Sequence, residues 1–201
     1  MSDLVTRQAP DFTATAVMPD DRFEKGFSLE GLRGRYVILF FYPLDFTFVC
    51  PSEILAFDES LTEFGNRDCE VVGVSVDSEY THLAWRNTPP ERGGIGPIGF
   101  PLVSDLSKTI CRRYGVLLNE EVALRGLFLI DREGVVRHAV INDLPLGRSV
   151  KETLRMLDAL RFHEQNGDVC PADWSRGDAG MTPTQDGVVD YLSKFAKQRA
   201  G

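Results

Sequence analysis

The sequence predicts an α/β fold with a central mixed sheet flanked by helices, and three observations predict it. Tyr36 to Tyr42 (Tyr-Val-Ile-Leu-Phe-Phe-Tyr) is an unbroken run of β-branched and aromatic residues, the mark of a strand covered on both faces. A second apolar strand, Cys69 to Val76, follows one helical stretch, and strand, helix and strand at that spacing make a βαβ unit with a right-handed crossover. Residues 126–130 and 135–141 then read as two strands joined by Asp131-Arg-Glu-Gly134, a hairpin with its glycine at the turn.

Taken in order, residues 8–35 read as short strands and turns, with Phe27 to Gly34 a connector into the first buried strand. Pro43 ends that strand, because proline has no N–H to give the ladder. From Pro51 the period becomes helical: Ile54, Leu55, Phe57, Leu61 and Phe64 recur on one face and Gly65 is the stop. The helix starts either at Thr47, whose hydroxyl can cap the Cys50 amide, or at Cys50 with Pro51 as first helical residue. Asp77 or Ser78 caps a helix carrying Leu83, Ala84 and Trp85. Pro89 to Pro101 is rich in Gly and Pro. Its Gly93-Gly94-Ile95-Gly96 reads as a flexible turn, since no helix follows directly to make a phosphate cradle. Phe100 to Val103 is a short strand, and a helix opened by Asp105 or Ser107 runs to Tyr114 with Gly115 as its stop. Ser149-Val-Lys-Glu152 is a capping box opening a helix with Val150, Leu154, Leu157 and Leu160 on one face. The order βαβ, helix, β-hairpin, helix is that of a thioredoxin-like fold, assigned to residues 1–165. Residues 166–201 form a C-terminal extension of different composition, with a Gly/Asp/Pro/Thr-rich span and a short amphipathic helix from Val188 to Phe195.

Composition narrows the function classes. The chain has 201 residues, 43% hydrophobic and 26% charged, enough for one full core. Its net charge of −8 argues against nucleic acid or an anionic membrane as partner. The first ten residues contain no apolar signal region, and no apolar run is long enough to span a bilayer, so a cytoplasmic protein is expected. The four cysteines are Cys50, Cys69, Cys111 and Cys170. None lies in Cys-x-x-Cys spacing, and the position three after Cys50 is Glu53, so neither a zinc ribbon nor a thioredoxin-type dithiol is written here. Cys69 and Cys111 read as small hydrophobes. His82, His138 and His163 make no metal-ligand pattern, and no metal or organic cofactor is expected.

Cys50 carries the chemistry. Either helix start leaves it in the first turn, where free N–H groups and the positive end of the helix dipole favour a thiolate. A free thiol of pKa ~8.5 is already about 3% ionised at pH 7, so complete ionisation gains at most ~30-fold. Fast chemistry at this sulfur therefore needs a hydroxyl and a cation to hold the electrophile and stabilise the leaving charge.

Pro43, Thr47 and Cys50 reproduce Pro-x-x-x-Thr-x-x-Cys, and Phe41-Tyr-Pro-Leu-Asp-Phe-Thr-Phe-Val-Cys-Pro51 resembles the typical two-cysteine branch of the peroxiredoxins. That branch includes the alkyl hydroperoxide reductase C component and the thioredoxin peroxidases. The resemblance covers essentially the whole chain. It implies that Cys50 reduces hydrogen peroxide and alkyl hydroperoxides, in antioxidant defence. Thr47 would supply the hydroxyl, Pro43 would shield the sulfur, and Arg125 of Ala-Leu-Arg-Gly-Leu-Phe would supply a permanently charged fork of donors. Glu53 and Arg148, the latter in Asp-Leu-Pro-Leu-Gly-Arg-Ser-Val, would orient Arg125. Cys170, in Val-Cys-Pro, would be the resolving cysteine, condensing with the Cys50 sulfenic acid of a partner subunit. A homodimer follows, in a branch where rings of five dimers are common, recycled by a thioredoxin-like or flavoprotein disulfide reductant. His82 and Trp85 match the family too and are given packing roles. Gly93-Gly94-Ile95-Gly96 resembles the Gly-Gly-Leu-Gly of members prone to over-oxidation, whereas the accompanying Tyr-Phe pair of the tail reads Tyr191-Leu192 here. Three rival readings remain: a thiol–disulfide oxidoreductase, a chaperone-like ring, and a structural protein with inert thiols.

Overall fold

The computed structural model describes residues 4–199, with side chains through Lys194. The chain forms two compact units, Met1–Val150 and Lys151–Gly201. The composition change that suggested a division after residue 165 lies at the end of the long C-terminal helix, whereas compactness divides the chain at that helix's start.

The first unit is built on a seven-stranded sheet. Its strands are β1 (Thr13–Val17), β2 (Phe23–Ser28), β3 (Tyr36–Phe41), β4 (Cys69–Ser75), β5 (Leu102–Ser104), β8 (Arg125–Ile130) and β9 (Val136–Asn142), and β6 (Leu117–Leu118) with β7 (Val122–Ala123) form a separate small hairpin. The spatial order is β2-β1-β5-β4-β3-β8-β9. β3, β4 and β5 pair in parallel, while β1–β2, β1–β5, β3–β8 and β8–β9 pair antiparallel, so the sheet is mixed. Helices α1 (Cys50–Glu59), α2 (Leu61–Gly65), α3 (Glu79–Arg86) and α4 (Thr109–Arg113) fill the connections. This is the thioredoxin-like α/β architecture expected from the order of elements.

β3 sits near the middle of the sheet, and every residue in it is 2% exposed or less. Its side chains alternate between two apolar layers, as the pleat requires. Val37, Leu39 and Phe41 join Val72, Val74, Tyr114, Phe128 and Ile130 in one cluster. On the other side Phe40 stacks on Phe57 of α1 with ring centroids 4.7 Å apart and meets Phe100 edge-on at 5.7 Å. That crowding explains Gly73 on β4, where a Cβ would come within 2.8 Å of Leu102 and 3.1 Å of Phe40. Burial of this kind, roughly 1.5–3 kcal/mol per large apolar side chain, anchors the strand from whose end the reactive loop departs.

Three local expectations are corrected. The helix expected to run unbroken to Gly65 is split at Ser60, whose hydroxyl bonds the Ala56 carbonyl 2.9 Å away and competes with the backbone ladder. The helix expected from Asp105 or Ser107 begins only at Thr109, after Lys108 in the left-handed region (φ 59°). Asp105 still serves it, accepting the Cys111 amide at 2.7 Å. The β6–β7 hairpin was not foreseen, because two-residue strands carry no periodicity. Elsewhere the reading holds: Ser78 caps α3 by accepting the Thr81 amide, and Gly134 turns the β8–β9 hairpin at φ 77°.

The second unit holds α5 (Val150–Asn166) and α6 (Gln185–Arg199). Between them Val169 and Met181 form an isolated antiparallel bridge. Trp174 packs on Phe162 of α5 with centroids 4.8 Å apart, and its carbonyl accepts Arg155 Nη1 at 2.6 Å.

Candidate active site

The site forms where β3 hands over to α1. Pro43 ends the strand pairing, Phe46 takes a left-handed conformation (φ 54°), and α1 opens at Cys50 with Pro51 behind it. The helix cap is Val49, with no side-chain cap hydrogen bond, so Thr47 does not cap the helix. Its hydroxyl instead donates to the Leu44 carbonyl at 2.8 Å and lies 2.9 Å from Cys50 Sγ. One hydroxyl has one proton. With Cys50 a thiol, Thr47 can donate to Leu44 while accepting the S–H. With Cys50 a thiolate, the same hydroxyl can turn and donate to sulfur. Cys50 itself is fully buried.

The cation comes from β8. Arg125, at its first residue, aims Nη1 at Cys50 Sγ from 3.5 Å. The same guanidinium is held by the Leu144 carbonyl through Nε at 2.7 Å and by Glu53 Oε2 through Nη1 at 2.6 Å. Glu53, one turn into α1, also takes Arg148: its Oε1 accepts the Arg148 amide at 2.8 Å and Nε at 2.7 Å, and its Oε2 accepts Nη2 at 3.0 Å. Arg148 Nη1 reaches the carbonyls of Phe41 and Gly126 at 2.8 and 2.5 Å. Burial pushes the Glu53 carboxyl up, but Arg148 and then Arg125 more than offset it and hold it below the ordinary carboxylate range. Two guanidiniums and one carboxylate leave the cluster with one excess positive charge beside Sγ, which a thiolate would balance.

A cavity of about 550 Å³ opens at this centre. Thr47 and Arg125, whose polar atoms reach Sγ, both line it, and Pro43, Leu44, Phe48, Val122 and Leu144 make most of the remaining wall apolar. The structure thus brings together Pro43, Thr47, Cys50, Glu53, Arg125 and Arg148, all in the first unit. Cys170 belongs to the second, where it is half-buried with Sγ 3.4 Å from the Ala159 carbonyl. Burial raises its thiol above the ordinary value, against a smaller opposing pull from Arg155. Cys50 and Cys170 both carry free thiols. Cys111 is buried, and that burial, with Asp105 adding to it, pushes its thiol far up, which fits the structural role read from the sequence.

One set of residues was missed. His82 is more than a packing residue: with Tyr42, Asp45, Ser75 and Asp77 it forms a buried polar network under the Pro43–Val49 loop. Tyr42 donates its hydroxyl to Asp45 Oδ1 at 2.9 Å, and His82 Nδ1 lies 2.7 Å from Asp45 Oδ2. His82 Nε2 faces the Val103 carbonyl at 3.3 Å. Burial raises the Asp45 carboxyl, opposed by His82. The only signal in the sequence was the recurrence of Asp45 and His82 beside matching family residues. The glycine-rich segment is a tied turn rather than a loose one. The amides of Gly94, Ile95 and Gly96 bond the carbonyls of Pro89, Trp85 and Thr88 at 3.1, 3.2 and 3.1 Å, and Trp85 Nε1 bonds the Gly93 carbonyl at 2.9 Å. A side chain at Gly94 would run into the Thr88 carbonyl.

A thiol held at a helix start between a hydroxyl and a guanidinium, on a thioredoxin-like sheet, defines the class of thiol-dependent peroxidases. Comparison with known proteins agrees. The model of the AhpC/TSA family matches residues 5–139, and that of the C-terminal domain of 1-Cys peroxiredoxin matches residues 159–194. Alkyl hydroperoxide reductase C of Helicobacter pylori is 55% identical over 192 residues, 95% of this chain and 97% of that protein. Peroxiredoxin-2 of Mus musculus is 52% identical over 191 residues, 94% of this chain and 96% of that protein. The reduced 2-Cys peroxiredoxin of Plasmodium vivax superposes with a TM-score of 0.93 at 51% identity, covering 94% of this chain and 98% of that one. The chain belongs to the AhpC/TSA family and is a peroxiredoxin, an oxidoreductase that reduces peroxide.

Proposed function

We propose that Cys50 is the peroxidatic nucleophile, that Thr47 and Arg125 act on the peroxide beside it, and that Cys170 resolves the product. The observation that carries this is Cys50 Sγ lying 2.9 Å from Thr47 Oγ1 and 3.5 Å from Arg125 Nη1, with both of those side chains lining the same cavity. The thiolate attacks one peroxide oxygen; the S–O bond forms as the O–O bond breaks, and sulfur is oxidised by two electrons. The departing oxygen leaves as alkoxide or hydroxide, stabilised by the guanidinium and the threonine hydroxyl, and takes up a proton. Pro43 keeps bulk water from the sulfur, while Glu53 and Arg148 hold the Arg125 fork in place. The apolar wall suits alkyl hydroperoxides as well as hydrogen peroxide. The Cys170 thiol of a partner subunit then condenses with the sulfenic acid, forming a disulfide and releasing water, and a thioredoxin-like or flavoprotein dithiol returns two electrons.

The cycle places the enzyme in antioxidant defence in the cytoplasm, where a reducing thiol pool exists. Among the described residues no helix is long and apolar enough to cross a membrane. A homodimer, or a ring of five dimers, completes the proposal. A Plasmodium yoelii relative modified at its N-terminus forms an octamer described as artifactual. On this chain Phe46, Phe48 and Tyr80 are 49%, 97% and 68% exposed, apolar surface that further assembly would cover. The test is a stoichiometric peroxide pulse followed by non-reducing electrophoresis of wild type, Cys50→Ser and Cys170→Ser. A covalent dimer is expected in the wild type alone; full dimer formation by Cys170→Ser overturns the resolving role.

A further inference from the structure

We propose that Asp77 is a positioning residue for the peroxide site, acting on Thr47 through the peptide unit that joins Leu44 to Asp45. This rests on the reading that Thr47 assists chemistry at Cys50. The two ends of that one peptide unit are both engaged. Its N–H, on Asp45, donates to Asp77 Oδ2 at 2.8 Å; its C=O, on Leu44, accepts the Thr47 hydroxyl at 2.8 Å. A peptide unit is planar and stiff, so fixing the N–H fixes the direction of the carbonyl on its far side. Thr47 Oγ1 is therefore placed 2.9 Å from Cys50 Sγ by a group attached to β4 rather than to the reactive loop.

The anchor is itself rigid. Asp77 Oδ2 also accepts the Ser75 hydroxyl at 2.8 Å, and the Asp77 amide donates to Ser75 Oγ at 3.1 Å. Ser75 is the last residue of β4 and is fully buried. From the other side, Tyr42 and His82 hold the Asp45 carboxylate, so the peptide unit cannot swing away. Asp77 itself does not line the peroxide cavity and bonds the Asp45 amide and Ser75 instead, so it acts through the peptide unit that holds Thr47.

The test is single-turnover oxidation of the reduced full-length protein by hydrogen peroxide, followed by stopped-flow fluorescence, in a double-mutant cycle. Asp77→Ala and Thr47→Val are each expected to lower the second-order rate constant about 10- to 100-fold. Together they are expected to fall within about 2-fold of Thr47→Val alone, because residues acting as one unit do not add. Asp77→Asn keeps an oxygen for the Asp45 amide without the charge and should stay within about 3-fold of wild type. Multiplicative losses in the double variant, or a wild-type rate in Asp77→Ala, overturn the proposal. If Asp77→Ala does not fold, Asp77→Ser, whose side chain is too short to keep the bond to the Asp45 amide, is compared in the wild-type and Thr47→Val backgrounds; equal slowing in both overturns it as well. A wild-type rate in Thr47→Val sinks the role given to Thr47 itself, a different outcome from additivity.

Discussion

Glu53→Gln tests how the reactive centre is held together. Glu53 is 4% exposed, and its carboxylate takes hydrogen bonds at 2.6, 2.7, 2.8 and 3.0 Å from Arg125 and Arg148. A glutamine has one acceptor oxygen, so whichever way its amide turns, an NH₂ faces two donors. Two buried guanidiniums are then left without an anion. Breaking a buried pair in this way costs about 3–5 kcal/mol. For a chain of this size each kcal/mol moves the melting midpoint by ~2–4 °C, so a drop of roughly 6–20 °C is expected. The pH dependence has a definite sign. The arginines hold the Glu53 carboxyl below its ordinary value against the effect of burial, so its stabilisation is complete above the unfolded carboxylate value. It is lost as pH falls through the lower, folded value. The gap between wild type and variant should therefore be widest at neutral pH and close below roughly pH 4. The assay is thermal denaturation followed by circular dichroism, at fixed protein concentration because assembly makes the midpoint concentration-dependent. A neutral-pH gap smaller than about 2 °C, or one that widens on acidification, would refute the reasoning.

Three more outcomes are expected. Arg125→Lys replaces a fork that reaches the Leu144 carbonyl, Glu53 and Sγ at once with a single ammonium, and peroxide reduction measured by stopped flow should slow by about 100-fold. Cys111, buried and with its thiol pushed far up, should escape iodoacetamide at pH 8 in the native protein, read by mass spectrometry of digests; native labelling faster than that of Cys170 contradicts the burial argument. Leu144→Asp puts a charge into the apolar wall of the cavity. It should depress the rate with cumene hydroperoxide about tenfold more than with hydrogen peroxide, and equal losses would mean that the wall does not hold the substrate.

The sequence made legible what depends on local pattern. β3 announced itself because a strand with both faces covered has no polar positions to interrupt it. The start of α1 was narrowed to Thr47 or Cys50, because Pro43 ends the strand and Pro51 suits a first helical turn, and the structure selects Cys50. Cys50 was singled out by its place in the first turn of a helix, whereas Thr47, Arg125, Glu53 and Arg148 were assigned through resemblance, since 75 residues separate Cys50 from Arg125 and no periodicity links them. What stayed hidden was the polar network beneath the loop. Asp45, Ser75, Asp77 and His82 come from three segments and are ordinary residues in each; only the packing of β4 and α3 under the loop gives them partners. Ser60 and Lys108 were missed for a related reason. One breaks a helix by bonding its own backbone, and the other delays one by a left-handed turn that lysine does not advertise.

These anchors also define how far the site must open. Cys50 Sγ is fully buried, and a disulfide needs two sulfurs ~2.05 Å apart, so the resolution by Cys170 proposed above needs that sulfur brought out, and the start of α1 is the segment that carries it. Little holds that start. Val49 carries no side-chain cap bond, Pro51 has no amide, and Phe48 is 97% exposed. The bonds lost are those of the Thr47 hydroxyl, the Arg125 contact to Sγ at 3.5 Å, the Ser52 hydroxyl to Val49 at 2.7 Å and the Glu53 amide to Val49 at 3.3 Å. At about 0.5–1.5 kcal/mol each they sum to several kcal/mol, so the open form is a minority state. On one side the unwinding meets the Glu53 carboxylate, clamped by two arginines; on the other it meets Asp45, pinned to Asp77 and His82. Residues 46–52 are thus the segment that can move while both ends stay fixed. In hydrogen exchange on the reduced protein, the amides of 47–52 should exchange well ahead of those of 54–57. Uniform protection across the whole of α1 would mean that the sulfur is released some other way.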